Sequence, residues 1–477
     1  MIPVLLILIP LLSGLFLFFL KEEKAVKNFA LIAALISLAV VVYAITLSPA
    51  GKLAFDTAWL PVVGSRFSLG IDGMGKMLIL LTAISFPVVF ISTSGNSYKN
   101  TAAFYALMLL TQCGLMGVFL ATDALLFYFF WELALVPVYF LCSIWGGEKR
   151  IAVTFKFFIY TFIGSLLMLA GILFLHYKSE NGSFAIKALT SAHLENFEQK
   201  FLFWLFFIAF AIKMPIFPLH TWQPDAYEQA PTAVTMVLSG VMVKMGIFAV
   251  IRWLIPMFPQ AANEYATLVM ILSITGMIYA SLIAIKQDDI KRLIAYSSIA
   301  HIGLMCAAIF AHNQIGLEGV MIQMFNHGIN VIGLWIVANA IEQQLQTRKF
   351  SELGGLAQTS PVLAILLVVM ALANIALPLT NAFVGEFLMF NGLFQFNVWM
   401  AVVAGISIIL AAVYTLNMIQ KIFYGKTVAA TEHAVDISSS VKWTLIFLVI
   451  VVLILGVYPQ PLINLTKDTV NAIVANR

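Results

Sequence analysis

Apolar residues run along this chain in blocks of about twenty, and polar residues collect in the short stretches between them. A helix of roughly 20 apolar residues crosses about 30 Å of hydrocarbon. Inside lipid every backbone N–H and C=O needs an internal partner, so these blocks predict helices. They fall near residues 2–20, 28–47, 72–95, 101–121, 122–145, 151–176, 200–224, 231–256, 264–285, 291–312, 315–343, 360–391, 394–423 and 441–459. The pattern predicts an all-α polytopic membrane protein of about 14 spans, here numbered in chain order. Residues 48–71 fall between spans 2 and 3 with no element assigned.

Two spans are interrupted. Span 7 carries Pro215, Pro218 and Pro224 in AFAIKMPIFPLHTWQPDA. Span 12 carries Pro378, Thr380, Asn381 and Gly385 in ALANIALPLTNAFVGEF. Proline removes a helix donor and clashes with the preceding turn. Non-helical backbone at membrane depth survives only where protein or a water-lined cavity satisfies it. Paired broken helices mark transporters built from inverted repeats. Span 7 is fourth from span 4, and span 12 is fourth from span 9. The reading is therefore two inverted five-helix repeats. Residues 1–100 form an N-terminal three-helix unit, 101–257 the first repeat, 258–426 the second, and 427–477 the last helix and tail.

Loop charge sets the orientation. Loops after spans 1, 3, 5, 9, 11 and 13 hold about 13 Lys/Arg, against about eight on the other side. The positive-inside rule puts those loops in the cytoplasm and both termini outside. The N-terminal block has no basic residues before it; Lys21, Lys24 and Lys27 follow it, so it reads as a retained span rather than a cleaved signal.

Composition agrees: 62% of residues are hydrophobic and 10% charged. A net charge of +4 with no basic run gives no case for nucleic-acid binding. Cys113, Cys142 and Cys306 are far apart in apolar segments, with no metal, cluster or disulfide spacing. No metal ligand set or cofactor motif is expected in this chain, so any redox chemistry belongs to a partner.

The candidate chemistry is the charge inside the spans. A lone charge at a helix centre costs about 2.5–3.5 kcal/mol on insertion scales, so such residues default to functional hypotheses. Glu132 sits mid-span 5, Lys213 just before the span 7 break, Lys244 mid-span 8, and Glu386 after the span 12 break, as the second half's counterpart of the first break's charge. Each could instead be a static structural group. Asp123, nine residues before Glu132, reads equally as an entrance group or a helix end. His301 and His327 on spans 10 and 11 suit a relay, since histidine titrates near neutral pH. His220 beside the first break reads either way. Lys156 and Lys76 lie close enough to span ends to snorkel. A Glu–Lys contact at about 7 Å is worth about 2.4 kcal/mol at an effective dielectric near 20. Moving one charge through 100 mV takes about 2.3 kcal/mol. Making or breaking one such contact thus matches the work of moving a proton.

These segments together resemble the antiporter-like membrane subunits of respiratory complex I, relatives of Mrp-type Na+/H+ antiporter subunits. The resemblance covers spans 4 to 13. It rests on FPLHTWQPDAYEQAPTAVTMVLSGVMVKMGIFAVIRW, QDDIKRLIAYSSIAHIGLM, LPLTNAFVGEF and FFWELALVPVYFL, in their order and spacing. It implies fourteen helices in two inverted repeats with helices 7 and 12 broken. It also implies a proton path whose members fall on Glu132, Lys213, Lys244 and Glu386, joined by His301 and His327. The family's subunit types differ at span 12, where most place lysine and one places the glutamate found here. Leu379 stands where the family usually has glycine. Gln223 and Tyr227 replace a usual leucine and histidine.

By that resemblance the chain is expected to work in a bacterial inner (cytoplasmic) membrane beside L-type and N-type antiporter-like neighbours. NADH, FMN, iron–sulfur clusters and quinone are expected in partner subunits. Other readings remain: a subunit of a Mrp-type antiporter or membrane-bound hydrogenase, a single-chain transporter of an organic substrate, or a non-pumping scaffold.

Overall fold

The computed structural model describes residues 1–47, 53–179 and 182–475. Among these, eleven helices are long and apolar enough to cross a membrane. They coincide with spans 2–6, 8–11, 13 and 14 of the sequence reading. Span 1 is a shorter helix, Ile2–Leu17. Spans 7 and 12 are each divided in two, as their prolines predict: Asn196–Lys213 with Trp222–Gln229, and Pro361–Asn374 with Asn381–Phe396.

Several helix starts follow from one local rule. A first turn leaves backbone N–H groups without partners, and a preceding Asp or Asn side chain accepts from them. Asp72, Asn100, Asp123, Asp289, Asn313 and Asn397 do this for spans 3, 4, 5, 10, 11 and 13.

Two elements lie outside the spans. Strands β1 (Ala54–Leu60) and β2 (Ser65–Gly70) form an antiparallel hairpin in the unassigned 48–71 segment. A helix over Gln460–Ala475 follows span 14 and buries Leu462, Thr466 and Val470, one turn apart. Its Thr469 hydroxyl accepts the backbone N–H of Gly73 at the start of span 3.

Spans 8, 10 and 11 are enclosed by the rest of the bundle, whereas spans 2, 13 and 14 leave most of their apolar surface outside. Lipid tails are as apolar as leucine, so helices associate through close packing and polar contacts. Gly319 of span 11 shows this: a Cβ there would lie 2.7 Å from Met389 N and 2.8 Å from Gly385 O. Only glycine lets span 11 lie that close to Asn381–Phe396. Span 8, Thr232–Met257, contains two π-helical stretches, Leu238–Met242 and Val250–Leu254, on either side of Lys244. Single π turns recur at functional sites because they re-aim the following side chains.

Candidate functional site

At the first break, Lys213 is the last residue of its helix, and the chain is non-helical over 214–221. Freed backbone groups find partners nearby: Trp222 Nε1 donates to Ile212 O at 2.9 Å, and Ile216 N donates to Ala211 O at 2.8 Å. Lys213 is buried, and its Nζ has no hydrogen-bond partner among the described residues. It lies 5.6 Å from the ring centroid of Trp131, a cation–π contact. Glu132, next to Trp131, is partly buried, and its Oε1 also lacks a hydrogen-bond partner there. Each of the two charges acts electrostatically on the other, and Ser165 of span 6 faces the carboxylate.

The remaining candidates near this break are placed by other contacts. His220 is buried against Phe217 and Tyr279, with Nδ1 unpartnered among the described residues. Lys156 Nζ is 2.9 Å from the Asp225 carboxylate and donates to Thr221 O, also at 2.9 Å. Lys76 snorkels to the end of span 2, donating to Ile45 O and Leu47 O. Asp123 accepts from Leu125 N, Leu126 N, Ser65 Oγ and Arg66 N. Its carboxylate therefore ties the hairpin to the start of span 5.

The second break covers residues 375–380, with Ala376 and Leu379 at φ of 57° and 72°. Glu386 does not occupy the place that Lys213 holds in the first break. It is the sixth residue of the second helix piece, whereas the last residue of the first piece is Asn374. Asn374 Nδ2 donates to Ser297 Oγ at 3.1 Å. The two breaks thus carry their charges on opposite sides of the interruption.

Between the breaks, four of the predicted residues form two contacting pairs, Lys244 with His327 and His301 with Glu386, and the two imidazoles meet in a tilted ring contact. Lys244 Nζ donates to Ser239 O at 2.7 Å and lies 2.7 Å from His327 Nδ1. When Lys244 is the ammonium it can only donate; Nδ1 then accepts, and Nε2 carries the ring proton, 3.2 Å from Ser298 Oγ. The His327 and His301 ring centroids are 5.4 Å apart. His301 Nδ1 lies 3.0 Å from Glu386 Oε1, to which Gln323 Nε2 also donates at 3.3 Å. Lys213 touches none of these. Its neighbour Met214 packs on span 8, where a Cβ on Gly246 would meet Met214 Cβ at 2.7 Å.

The sequence reading missed the amides. Gln323, Asn326, His327 and Asn330 lie on one face of span 11. Asn326 Nδ2 donates to Asn381 O at 2.7 Å and Asn330 Nδ2 to Ala373 O at 3.2 Å, so two carbonyls flanking the second break are held by span 11. The signal was present: four polar residues at intervals of 3, 1 and 3 in the otherwise apolar stretch 319–338. Reading charges and histidines alone passes over it.

A bundle of apolar helices with two divided helices and a buried line of Lys, His, His and Glu defines an antiporter-like membrane subunit. The family model described as "NADH:quinone oxidoreductase/Mrp antiporter, TM" matches residues 121–411, and the chain belongs to that family. It is 37% identical over 443 residues to NADH-quinone oxidoreductase subunit M of Rhodobacter capsulatus, covering 90% of this chain and 86% of that one. It is 35% identical over 492 residues to the subunit M of Escherichia coli (strain K12), covering 98% and 96%. A chain of the respiratory complex I from Thermus thermophilus superposes with a TM-score of 0.92 at 28% identity, covering 100% of this chain and 99% of that one. Within the family the likeness is to the subunit M type.

Proposed function

We propose that this chain is a proton-translocating membrane-arm subunit of an NADH-quinone oxidoreductase. It carries no redox chemistry of its own and is driven by quinone reduction in partner subunits. The observation that carries the reading is the buried series Lys244–His327–His301–Glu386. Each member can hold or pass a proton, and the series joins the enclosed centre of the bundle to the second break.

The mechanism is electrostatic. Glu132 and Lys213 are not locked together by a hydrogen bond, so a charge arriving beside Glu132 from a neighbouring subunit changes the field at Lys213. Lys213 then biases Lys244, which yields its proton to His327. His327, now carrying both ring protons, releases one to His301 and returns to neutral; His301 passes a proton on to Glu386, which exchanges it with the outer side. His220 and Asp123 flank this line; Asp123 holds the hairpin to span 5, and His220 sits beside the first break. The two halves, 101–257 and 258–426, act as paired repeats. Both termini lie on the outer side of a bacterial inner membrane, with L-type and N-type subunits as neighbours. The NADH, FMN, iron–sulfur and quinone sites belong to the partners.

The family description also names Mrp antiporters, and a place in such a complex is the second reading. The span 12 glutamate favours the first. The test is Glu132→Gln and Lys213→Ala in the assembled complex in sealed vesicles. Each is expected to lower protons pumped per NADH oxidised. Unchanged ratios in both would rule out the mechanism.

A further inference from the structure

The first helix piece of span 12 ends between two anchors. Ala373 O accepts from Asn330 Nδ2 of span 11 at 3.2 Å. Asn374, the last residue of that piece, donates through Nδ2 to Ser297 Oγ of span 10 at 3.1 Å. Tyr414 of span 13 donates its hydroxyl to the same oxygen at 2.9 Å. A serine oxygen has two lone pairs, and these two bonds fill them. Asn374, Ser297 and Tyr414 are all buried. Spans 10, 12 and 13 therefore meet at one hydroxyl, side chain to side chain.

This junction stands beside the proposed translocation line. Ser297 precedes Ser298, whose Oγ is 3.2 Å from His327 Nε2. Ser297 is also one turn before His301 on span 10, and residues four apart share a helix face. His301 Nδ1 in turn lies 3.0 Å from Glu386 Oε1. Tyr414 and Glu386 thus touch one face of span 10, one turn apart, and the two interact electrostatically.

The titratable groups facing Glu386 are few. Span 10 brings His301, span 11 brings His327 behind it, and span 13 brings Tyr414. The first piece of span 12 carries no charged residue, and span 14 carries only Lys442, in its first turn. Tyr414 differs from the histidines. Tyrosine ionises at about pH 10, so it offers a donor without joining in proton exchange. Its hydroxyl hydrogen rotates to suit the acceptors within reach. A hydrogen bond to an ionised acceptor is roughly twice as strong as one between neutral groups. The preferred acceptor of Tyr414 therefore depends on the charge of Glu386.

We propose that Tyr414 is a positioning residue that conveys the charge of Glu386 to the second break. Its hydroxyl donates to Ser297 while Glu386 is protonated, and turns to the carboxylate once Glu386 is ionised. Ser297, then held from one side only, is free to change rotamer, and Asn374 loses a fixed anchor. No proton leaves Tyr414; only the direction of its O–H bond changes. The second helix piece, which carries Glu386, stays packed on span 11 at Gly319. Each release of a proton from Glu386 thus loosens the end of the first piece, and each arrival through His301 closes it again. This rests on the reading that Glu386 belongs to the translocation line.

The experiment uses the whole complex in sealed vesicles. Backbone hydrogen exchange over residues 374–380 is measured at rest and during NADH oxidation, with protons pumped per NADH followed alongside. In the parent, exchange should rise about fivefold on turnover, the scale of one neutral hydrogen bond. Tyr414→Phe keeps the ring, and Ser297→Ala removes only the shared hydroxyl. Both should exchange at the faster rate in both states, and should one fail to assemble, the other carries the comparison. Glu386→Gln cannot ionise, so its break should stay at the slower rate in both states. A packing role alone would not move the two kinds of variant in opposite directions. An unchanged rate in the parent on turnover overturns the proposal, as does a rise on turnover in Glu386→Gln. Resting exchange in Tyr414→Phe and Ser297→Ala equal to the parent's also overturns it. Pumping separates the two levels. If Glu386→Gln pumps normally, the underlying reading fails; if it stops while Tyr414→Phe pumps and exchanges as the parent does, only this proposal fails.

Discussion

Gly319→Ala perturbs the proposed translocation line without replacing any group on it. The new Cβ would lie 2.7 Å from Met389 N, 2.8 Å from Gly385 O and 2.9 Å from Leu388 Cβ. Two of these are backbone atoms and cannot rotate away. Ordinary contact begins near 3.4 Å, so span 11 and the Asn381–Phe396 helix must part by about 0.7 Å. Gln323, one turn further along span 11, now donates to Glu386 at 3.3 Å. Parting the helices takes that contact to about 4 Å, beyond hydrogen-bond reach. Glu386 loses one of its two partners and shifts against His301. A misplacement near 1 Å can cost about a hundredfold in rate, so a fall in pumping of about tenfold or more is expected. The assay is proton uptake per NADH oxidised in vesicles, with assembled complex measured separately. Gly405→Ala is the control, because a Cβ there meets nothing within 4 Å. Equal pumping by Gly319→Ala, Gly405→Ala and the parent would refute the claim that Glu386 depends on this packing.

Two other outcomes follow from local structure. Leu379→Gly should raise the resistance of the protein to heat in detergent by about 1 kcal/mol, because a left-handed conformation costs a side-chain-bearing residue about 1–2 kcal/mol and this side chain is largely exposed; equal or lower resistance would refute strain at the second break. In the hairpin, the hydrogen bond from Arg66 holds the Asp56 carboxyl below its ordinary range. Its contribution is therefore present above about pH 4 and lost as pH falls through the depressed value. Hydrogen exchange in the hairpin strands should accelerate between about pH 4 and 2 in the parent, and Asp56→Asn should remove that dependence.

How far the sequence reveals this protein depends on which physical signal carries each feature. Prolines announced both breaks, because a missing donor is a local property of one residue. Glu132, Lys213, Lys244 and Glu386 stood out because a charge in hydrocarbon has a cost that needs no neighbour to define it. The hairpin had a weaker local signal: Phe55, Thr57 and Trp59 alternate before a Pro-Val-Val-Gly turn, but the segment is too short to compete with the long apolar blocks around it. The π turns were not legible at all. Gly240 and Gly246 of span 8 pack closely against Ile332 and Met214, and no residue preference marks where the helix widens. The contact of Glu386 with His301 was hidden for a similar reason. Sequence orders the charge after the proline but does not say which helix piece faces His301.

The contact pattern separates two tasks that charge positions alone leave merged. Lys244, His327, His301 and Glu386 each have a partner within about 3 Å, and the glycine contacts of span 11 hold Glu386 in place. Such a line passes protons best when its distances do not change. Glu132 and Lys213 are held differently: one carboxylate oxygen and the ammonium are unpartnered among the described residues, and an aromatic ring stands beside the lysine. A charge held only by field and a ring responds most to a new charge nearby, because no hydrogen bond must first break. In the proposed mechanism the loose pair senses and the pinned line conducts. If both tasks fell on one set of residues, the contacts that fix proton-transfer distances would also resist the displacement that a drive requires. Their placement on different helices, with Met214 and Gly246 in contact between them, avoids that conflict.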